Sequence, residues 1–368
     1  MKLQAAEMRR AHLSLVAPFE TSFGVQTERD VLLLKVITTD GEGWGECVAG
    51  EEPNYSSEYV DGAQHVLIHH LLPRLMDQPH IEAEDVGQLL RPVHGHQMAK
   101  AAIEMAILDA QLRARGESFA RYFGAVRSAV DCGVSVGIHK SIPELLETVG
   151  GYLEQGYRRI KLKIKPGWDI EPVRAVRERF GKVALQVDAN TAYSLSHAAH
   201  LAQLDPFDLL LIEQPLPEEQ VLAHAELARL LRTPICLDES ITSVGAAADA
   251  IKLGACRIIN IKPGRVGGYL EARRIHDLCA DRGVPVWMGG MLETGIGRAG
   301  NVAMAAMANF SLPGDTSASD RYYWRDITQP FVLHDGRLKV PSGPGLGVDV
   351  DLEFLEGITH WKQTVASP

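Results

Sequence analysis

Five charged residues stand at nearly equal intervals through the middle of the chain, and their types point to proton transfer beside a metal ion. Lys163, Asp188, Glu213 and Asp238 are each separated by 25 residues, and Lys262 follows 24 residues later. Each closes an apolar run, as in Gln186-Val-Asp-Ala-Asn190, Leu211-Ile-Glu-Gln-Pro215, Cys236-Leu-Asp-Glu-Ser240 and Asn260-Ile-Lys-Pro263. One strand and its returning helix occupy an interval of that length. Three carboxylates gathered at one place repel and raise one another's pKa unless a cation neutralises them, so the set calls for a divalent ion. Ligands that are all oxygen favour a hard ion. Three carboxylates that leave room for water and substrate suit Mg²⁺, with Mn²⁺ or another divalent ion as a substitute, better than a many-oxygen Ca²⁺ cage. One acidic residue at a strand end reads as readily as a helix cap or a solvated charge; the equal spacing between two lysines gives the metal reading its weight.

The lysines fall on the second and sixth strands of the series, with the acidic strands between them, so they should face each other across a barrel mouth. A substrate carboxylate at the metal would gain Lewis-acid stabilisation of the enolate formed when its α-proton leaves. An amine must be neutral to take that proton. Lys161, two residues before Lys163 and on the same strand face, adds a positive charge that lowers its neighbour's pKa. Alternating lysines also occur on solvated edge strands, but the central place of Lys161-Leu-Lys163 in the series argues against that here. A Schiff-base aldolase would have no use for the carboxylate trio, and a non-catalytic barrel would bury costly ammonium groups to no purpose.

The elements that must position these residues are legible as well. Short apolar runs separated by amphipathic stretches begin near Val130: Val130–Ile138, Arg159–Ile164, Val183–Val187, Leu209–Glu213, Pro234–Leu237, Arg257–Ile261 and Val284–Met288, with a weaker eighth at Asn309–Leu312. Strands alternating with helices pair in parallel, and eight units predict a (β/α)8-type barrel over residues 126–320. Residues 1–125 predict a small α+β domain. Within it, Val31-Leu-Leu-Leu-Lys-Val-Ile-Thr-Thr39 turns at Asp40-Gly41 into Gly43-Trp-Gly-Glu-Cys47, and helical periodicity runs from Met98 to Arg115. Residues 321–368, with a hairpin expected at Val332–Leu338, should return to pack on that first domain.

Composition bounds the partners. Over 368 residues, 46% hydrophobic and 23% charged side chains describe an ordinary globular chain, long enough for a barrel and a smaller domain. A net charge of -10 argues against nucleic acid, whose phosphates are bound through clustered Lys and Arg. No run approaches the roughly 20 apolar residues of a membrane span. Met1–Val16 interrupts its apolar residues with Lys2, Glu7, Arg9, Arg10 and His12, unlike a signal peptide. Five cysteines without a C-x-x-C pair fit reduced thiols, and the expected location is the cytoplasm. His69-His70 and His94-Gly-His96 lie outside the barrel series and read as surface residues.

With these residues assembled, the chain resembles the enolase superfamily over nearly its whole length. Lys161-Leu-Lys163, Val187-Asp-Ala-Asn190, Ile212-Glu-Gln-Pro215, Leu237-Asp-Glu-Ser240, Ile261-Lys-Pro-Gly-Arg-Val-Gly-Gly268 and Trp287-Met-Gly-Gly-Met-Leu-Glu-Thr294 are similar to the subgroup of N-succinylamino acid racemases and o-succinylbenzoate synthases. The resemblance implies that Asp188, Glu213 and Asp238 bind Mg²⁺ and that Lys163 and Lys262 are the acid/base pair. It implies a pocket lined by Ser135, Lys161, Asn190, Glu239, Gly290 and Met291, with Phe19 and Tyr55 closing over it from the cap. Phe19 and Phe23 read equally well as interdomain core. Gly289-Gly290 reads as a tight turn or as backbone N–H groups for a second substrate carboxylate. Arg265 either holds down the pKa of Lys262 or caps a helix. The implied activity is racemisation of an N-acylamino acid, or syn dehydration of a cyclohexadiene carboxylate to o-succinylbenzoate for menaquinone synthesis, in a homo-oligomer.

Overall fold

A computed structural model describes residues 1–367. Strands β1 (Leu3–Thr21), β2 (Gly24–Thr38) and β3 (Glu42–Cys47) form an antiparallel meander, with β2 between the other two. The run Val31–Leu34 is buried on both strand faces. The long helix Gln97–Arg115 packs on this sheet and is itself buried at nearly every position from Met98 to Leu112. The close approach depends on β3: a Cβ on Gly45 would come within 3.0 Å of the Ala102 carbonyl carbon, so small residues face each other across the contact.

After β4 (Ala129–Asp131), the barrel strands follow in chain order. They are β5 (Gly133–Val136), β6 (Arg159–Lys163), β7 (Leu185–Asp188), β8 (Ile212–Glu213), β9 (Ile235–Leu237), β10 (Ile258–Ile261) and β11 (Val286–Met288). They pair in parallel in that order, each with its sequence neighbour, and every residue in them is buried. The result is a capping domain joined to a barrel-like domain.

The eighth strand expected at Asn309–Leu312 does not form. Its place is taken by an irregular segment that closes the ring through single bridges, Val286 with Phe310 and Cys132 with Gly314. Asp315 N–H donates to the Met288 carbonyl at 2.8 Å, and Gly133 N–H to the Gly314 carbonyl at 2.7 Å. Pro313 lacks an N–H, and together with Gly314 it breaks any regular ladder there.

The tail divides its contacts. The expected Val332–Leu338 hairpin is only a tight turn, His334 to Arg337, after which β12 (Arg337–Lys339) pairs with β4 beneath the barrel. The last strand, β13 (Thr359–Ala366), pairs antiparallel with β1 and forms the edge of the cap sheet.

Candidate active site

Parallel register brings the charged series together. Lys163 stands opposite Asp188 and Asp188 opposite Glu213 at the ends of β6, β7 and β8, while Asp238 and Lys262 follow the last residues of β9 and β10. All five side chains are buried. Lys163 Nζ lies 2.6 Å from Asp188 Oδ2 and 2.6 Å from Asn190 Oδ1. Lys262 Nζ donates to Asp238 Oδ2 at 2.8 Å and to the Tyr55 hydroxyl at 3.0 Å. Lys161 Nζ sits deeper, 3.0 Å from Glu213, 3.1 Å from Asp188 and 2.6 Å from Asp315.

The cap completes the site. The tip between β1 and β2 docks on the barrel, with Ser22 Oγ donating to the Asn190 carbonyl at 3.1 Å and Ile138 N–H to the Glu20 carbonyl at 2.9 Å. Lys165 Nζ pairs with Glu20 at 3.0 Å. A cavity of about 350 Å³ results, bounded by Phe19, Phe23, Tyr55, Lys163, Asn190, Lys262, Gly290 and Met291. The Lys163 ammonium is 6.0 Å from the Phe19 ring centre. Tyr55 reaches further in than a covering residue, because its hydroxyl touches Lys262 and lies 3.3 Å from Asp238 Oδ2. Ser135 is buried opposite Lys161, and its hydroxyl has no hydrogen-bond partner among the described residues. Glu239 accepts from Asn190 Nδ2 at 2.9 Å, and its second oxygen is likewise unpartnered.

Burial and neighbours set the charges. Burial lowers the pKa of Lys163 and the Lys161 charge adds to the effect, against the opposing pull of Asp188. Burial opposes the charged form of Lys161 too, but Asp315, Glu213 and Asp188 outweigh it and keep that ammonium protonated. For Asp188 burial is outweighed by Lys163 and Lys161, which hold its carboxyl below the usual carboxylate range. Glu213 is raised by burial and by Asp188, and Glu239 is pushed up to about 7 by the same two causes. Burial is the larger cause in both, and repulsion from the Asp188 carboxylate adds to it.

Arg265 turns into the site, where it and Lys262 both touch Asp238 and the Tyr55 hydroxyl. Its guanidinium pairs with Asp238 and donates to the carbonyls of Ile241 at 3.1 Å and Asn260 at 2.9 Å. The Asp238 carboxylate is shared between Arg265 and Lys262 and so stands between the two cations. Burial would lower the pKa of Lys262, but the Tyr55 hydroxyl and the Glu239 and Glu213 carboxylates outweigh it and the pKa is raised.

Several supporting residues escape a reading of the sequence. Asn260 Nδ2 donates to Glu213 at 2.6 Å; its place two residues before Lys262, on one strand face, is the signal that marks it. Gln214 Oε1 accepts from Asp238 N–H at 2.9 Å and Ser240 N–H at 3.2 Å, fixing the backbone that carries Asp238. Trp287 lies 4.8 Å from the Lys161 ammonium and 5.1 Å from the Arg159 guanidinium, ring centre to charge. Asp315 binds both cations from the irregular closing segment, where no periodicity announces it. Gly289 has a steric reason, since a Cβ there would come within 2.7 Å of Lys262 Cγ.

Comparison with known proteins agrees with this architecture. Residues 5–124 match the mandelate racemase / muconate lactonizing enzyme N-terminal domain, and residues 144–354 match the enolase C-terminal domain-like family. An N-succinylamino acid racemase of an Amycolatopsis species is 65% identical over 368 residues, covering 100% of both chains. An o-succinylbenzoate synthase of Geobacillus kaustophilus is 48% identical over 358 residues, 97% of this chain and 96% of that one. The crystal structure of an enolase superfamily member from Listeria innocua superposes with a TM-score of 0.96 at 41% identity, covering 100% of both chains. Matched in both domains and along its whole length, the chain is an enzyme of the enolase superfamily.

Proposed function

We propose that this enzyme is an N-succinylamino acid racemase in which Lys163 and Lys262 move the α-proton between the two faces of the substrate's α-carbon. One observation carries the reading: both lysines reach a single cavity from β6 and β10, with the carboxylates of the intervening strands between them. The 65% identity to the Amycolatopsis N-succinylamino acid racemase supports the substrate class.

Superfamily members use a divalent metal, and in this reading Asp188, Glu213 and Asp238 hold Mg²⁺, with Mn²⁺ able to replace it. The donor set fits a hard divalent ion by type and placement: it is all oxygen and lies on adjacent strand ends, with Asp188, Glu213 and Asp238 each paired to a lysine here. When bound, such an ion supplies Lewis-acid stabilisation to a substrate carboxylate. Lys163 Nζ, when neutral, takes the proton from one face, and Lys262 Nζ, as an ammonium, returns one to the other; the roles exchange for the opposite enantiomer. Lys161 adds positive charge beneath the developing enolate. Arg265 and Lys262 share Asp238, so Arg265 holds that carboxylate in place. Phe19, Tyr55 and Met291 enclose the acyl and side-chain groups, while Ser135, Asn190, Glu239 and Gly290 complete the wall.

The proposal takes residues 1–125 as the cap, 126–320 as the barrel and 321–368 as a returning segment. It also takes the enzyme as a cytoplasmic homo-oligomer. Buried free cysteines and the lack, among the described residues, of a helix long and apolar enough to cross a membrane are compatible with that location.

The stereochemistry tests the reading. In D₂O, Lys262→Ala should exchange the α-hydrogen of one N-succinylamino acid enantiomer with retention, and Lys163→Ala that of the other, as followed by NMR. Exchange of both enantiomers by either variant would refute the two-base arrangement.

A second reading, o-succinylbenzoate synthase, is favoured by the 48% identity to the Geobacillus kaustophilus enzyme. There one lysine serves as base and then acid in a syn dehydration of a cyclohexadiene carboxylate while the other stabilises charge. Turnover assayed separately on the two substrates distinguishes the activities.

A further inference from the structure

The cap sheet carries a second cluster with the chemistry of a metal site, formed by His12, Asp30 and His360, and no part of the barrel mechanism uses it. One ligand atom from each of the three lies within 4.8 Å of the other two. They come from three adjacent strands. His12 on β1 stands directly opposite Asp30 on β2. On the other side of β1 the pairing with β13 slips between Arg10 and Ala11, whose partners are Trp361 and Thr359. His360 is the extra residue in that slip. A bulge re-aims a side chain that regular alternation would send elsewhere. His360 Nε2 lies 3.0 Å from Asp30 Oδ1, and the His12 and His360 ring centres are 4.2 Å apart.

The carboxylate is set in place from behind. Asp30 is buried, and Arg10 binds its other oxygen, Oδ2, through Nε at 2.9 Å and through its second nitrogen. Oδ1 is thereby turned towards His360, which is how an orienting partner prepares a ligating carboxylate. Arg10 also pairs with Asp61 and donates to Gln64 Oε1 at 3.2 Å, so its charge does not stand free beside the cluster. His12 and His360 remain half accessible, which leaves an entry path for an ion and room for the side chains to close on it.

We propose that His12, Asp30 and His360 bind one divalent transition-metal ion of the zinc class, distinct from the barrel centre, which clips the terminal strand β13 to β1 and β2. Two imidazoles and a carboxylate are zinc-type donors, whereas the barrel mouth offers only oxygen; the two sites therefore select different ions. Donors at zinc's ligand distances of about 2.0–2.1 Å in a tetrahedron stand about 3.3 Å apart; His360 Nε2 and Asp30 Oδ1 are already near that at 3.0 Å, and the half-exposed His12 ring, 3.9 Å from Asp30 Oδ2, closes the set by side-chain rotation.

The test uses the full-length enzyme in excess Mg²⁺, which occupies the hard-ligand centre. Zn²⁺ titration by calorimetry, paralleled by Co²⁺ absorption spectra, should show one ion bound per chain, with a rise in Tm. His12→Ala, His360→Ala and His360→Gln should each weaken that binding by about tenfold or more and remove the Zn²⁺-dependent rise in Tm. Racemase activity in Mg²⁺ should stay unchanged, confirming that the variants are folded. His65→Ala, an exposed histidine outside the cluster, should bind as the parent does. Absence of Zn²⁺ binding in excess Mg²⁺, or equal binding by the parent and both position-360 variants, would overturn the proposal.

Discussion

Replacing Gly289 with alanine measures how tightly the site holds Lys262. Gly289 follows β11, and its N–H donates to the Ile261 carbonyl at 3.0 Å, so the backbone is fixed where the new methyl would project. That methyl carbon would lie 2.7 Å from Lys262 Cγ and would also strike the Asn260 amide. Ordinary contact begins near 3.4 Å, so the Lys262 stem must give way by about 0.7 Å. Misplacing a reacting group by about 1 Å costs on the order of a hundredfold in rate, so kcat for racemisation should fall about 10- to 100-fold. Overpacking should remove about 1–3 kcal/mol of stability as well. Polarimetry on a single N-succinylamino acid enantiomer gives the rate, and thermal unfolding gives the stability. The matched control is Gly151→Ala in the helix Ile142–Glu154, where no atom lies within 4 Å of the added carbon. It should keep kcat and gain about 0.5–1 kcal/mol. A Gly289→Ala enzyme with kcat within about twofold of the parent would show that Lys262 is not confined as described.

Removing divalent ions with a chelator should abolish turnover and added Mg²⁺ or Mn²⁺ restore it; full activity in metal-stripped protein would refute the assignment of the carboxylate trio. Asp238→Asn removes a negative charge from that trio and should weaken Mg²⁺ binding, read by titrating activity against Mg²⁺, with an unchanged titration curve as the contrary result. The acid limb of stability should contain a contribution from His224. This fully buried ring accepts from Leu216 N–H at 3.2 Å through Nε2 and holds the Gln220 carbonyl at 2.9 Å through Nδ1, and burial lowers its pKa to about 4. The unfolded chain takes up a proton near 6.5 and the folded one only near 4, so stability falls as pH drops through that window, by about 3 kcal/mol from this group. Urea unfolding at pH 7 and pH 4.5 should show that loss in the parent and a smaller one in His224→Gln; equal losses would remove His224 from the account.

Periodicity along the chain was sufficient to expose the barrel series. A strand and its helix consume a nearly constant length, so residues placed alike on successive strands recur at a fixed interval, and parallel pairing leaves all of them at one end of the sheet. Lys163, Asp188, Glu213, Asp238 and Lys262 are legible in this way without any knowledge of packing. Contacts that join residues with no common period are not. Asn309–Leu312 has a strand-like composition, but Pro313 and Gly314 leave single bridges instead of a ladder, and the same segment delivers Asp315 to Lys161 and Arg159. Arg265 is close enough in the chain to suggest an action on Lys262, and only the fold shows the Asp238 carboxylate they share. Tyr55 looked like a covering residue, and only the docking of the cap carried its hydroxyl to Lys262. His12 and His360 lie almost the whole chain apart and meet only because β13 returns to β1 with a one-residue slip. Local spacing records the covalent length of a repeating unit; ring closure, domain docking and a strand bulge depend on which distant surfaces bury each other best, and no interval in the sequence encodes that choice.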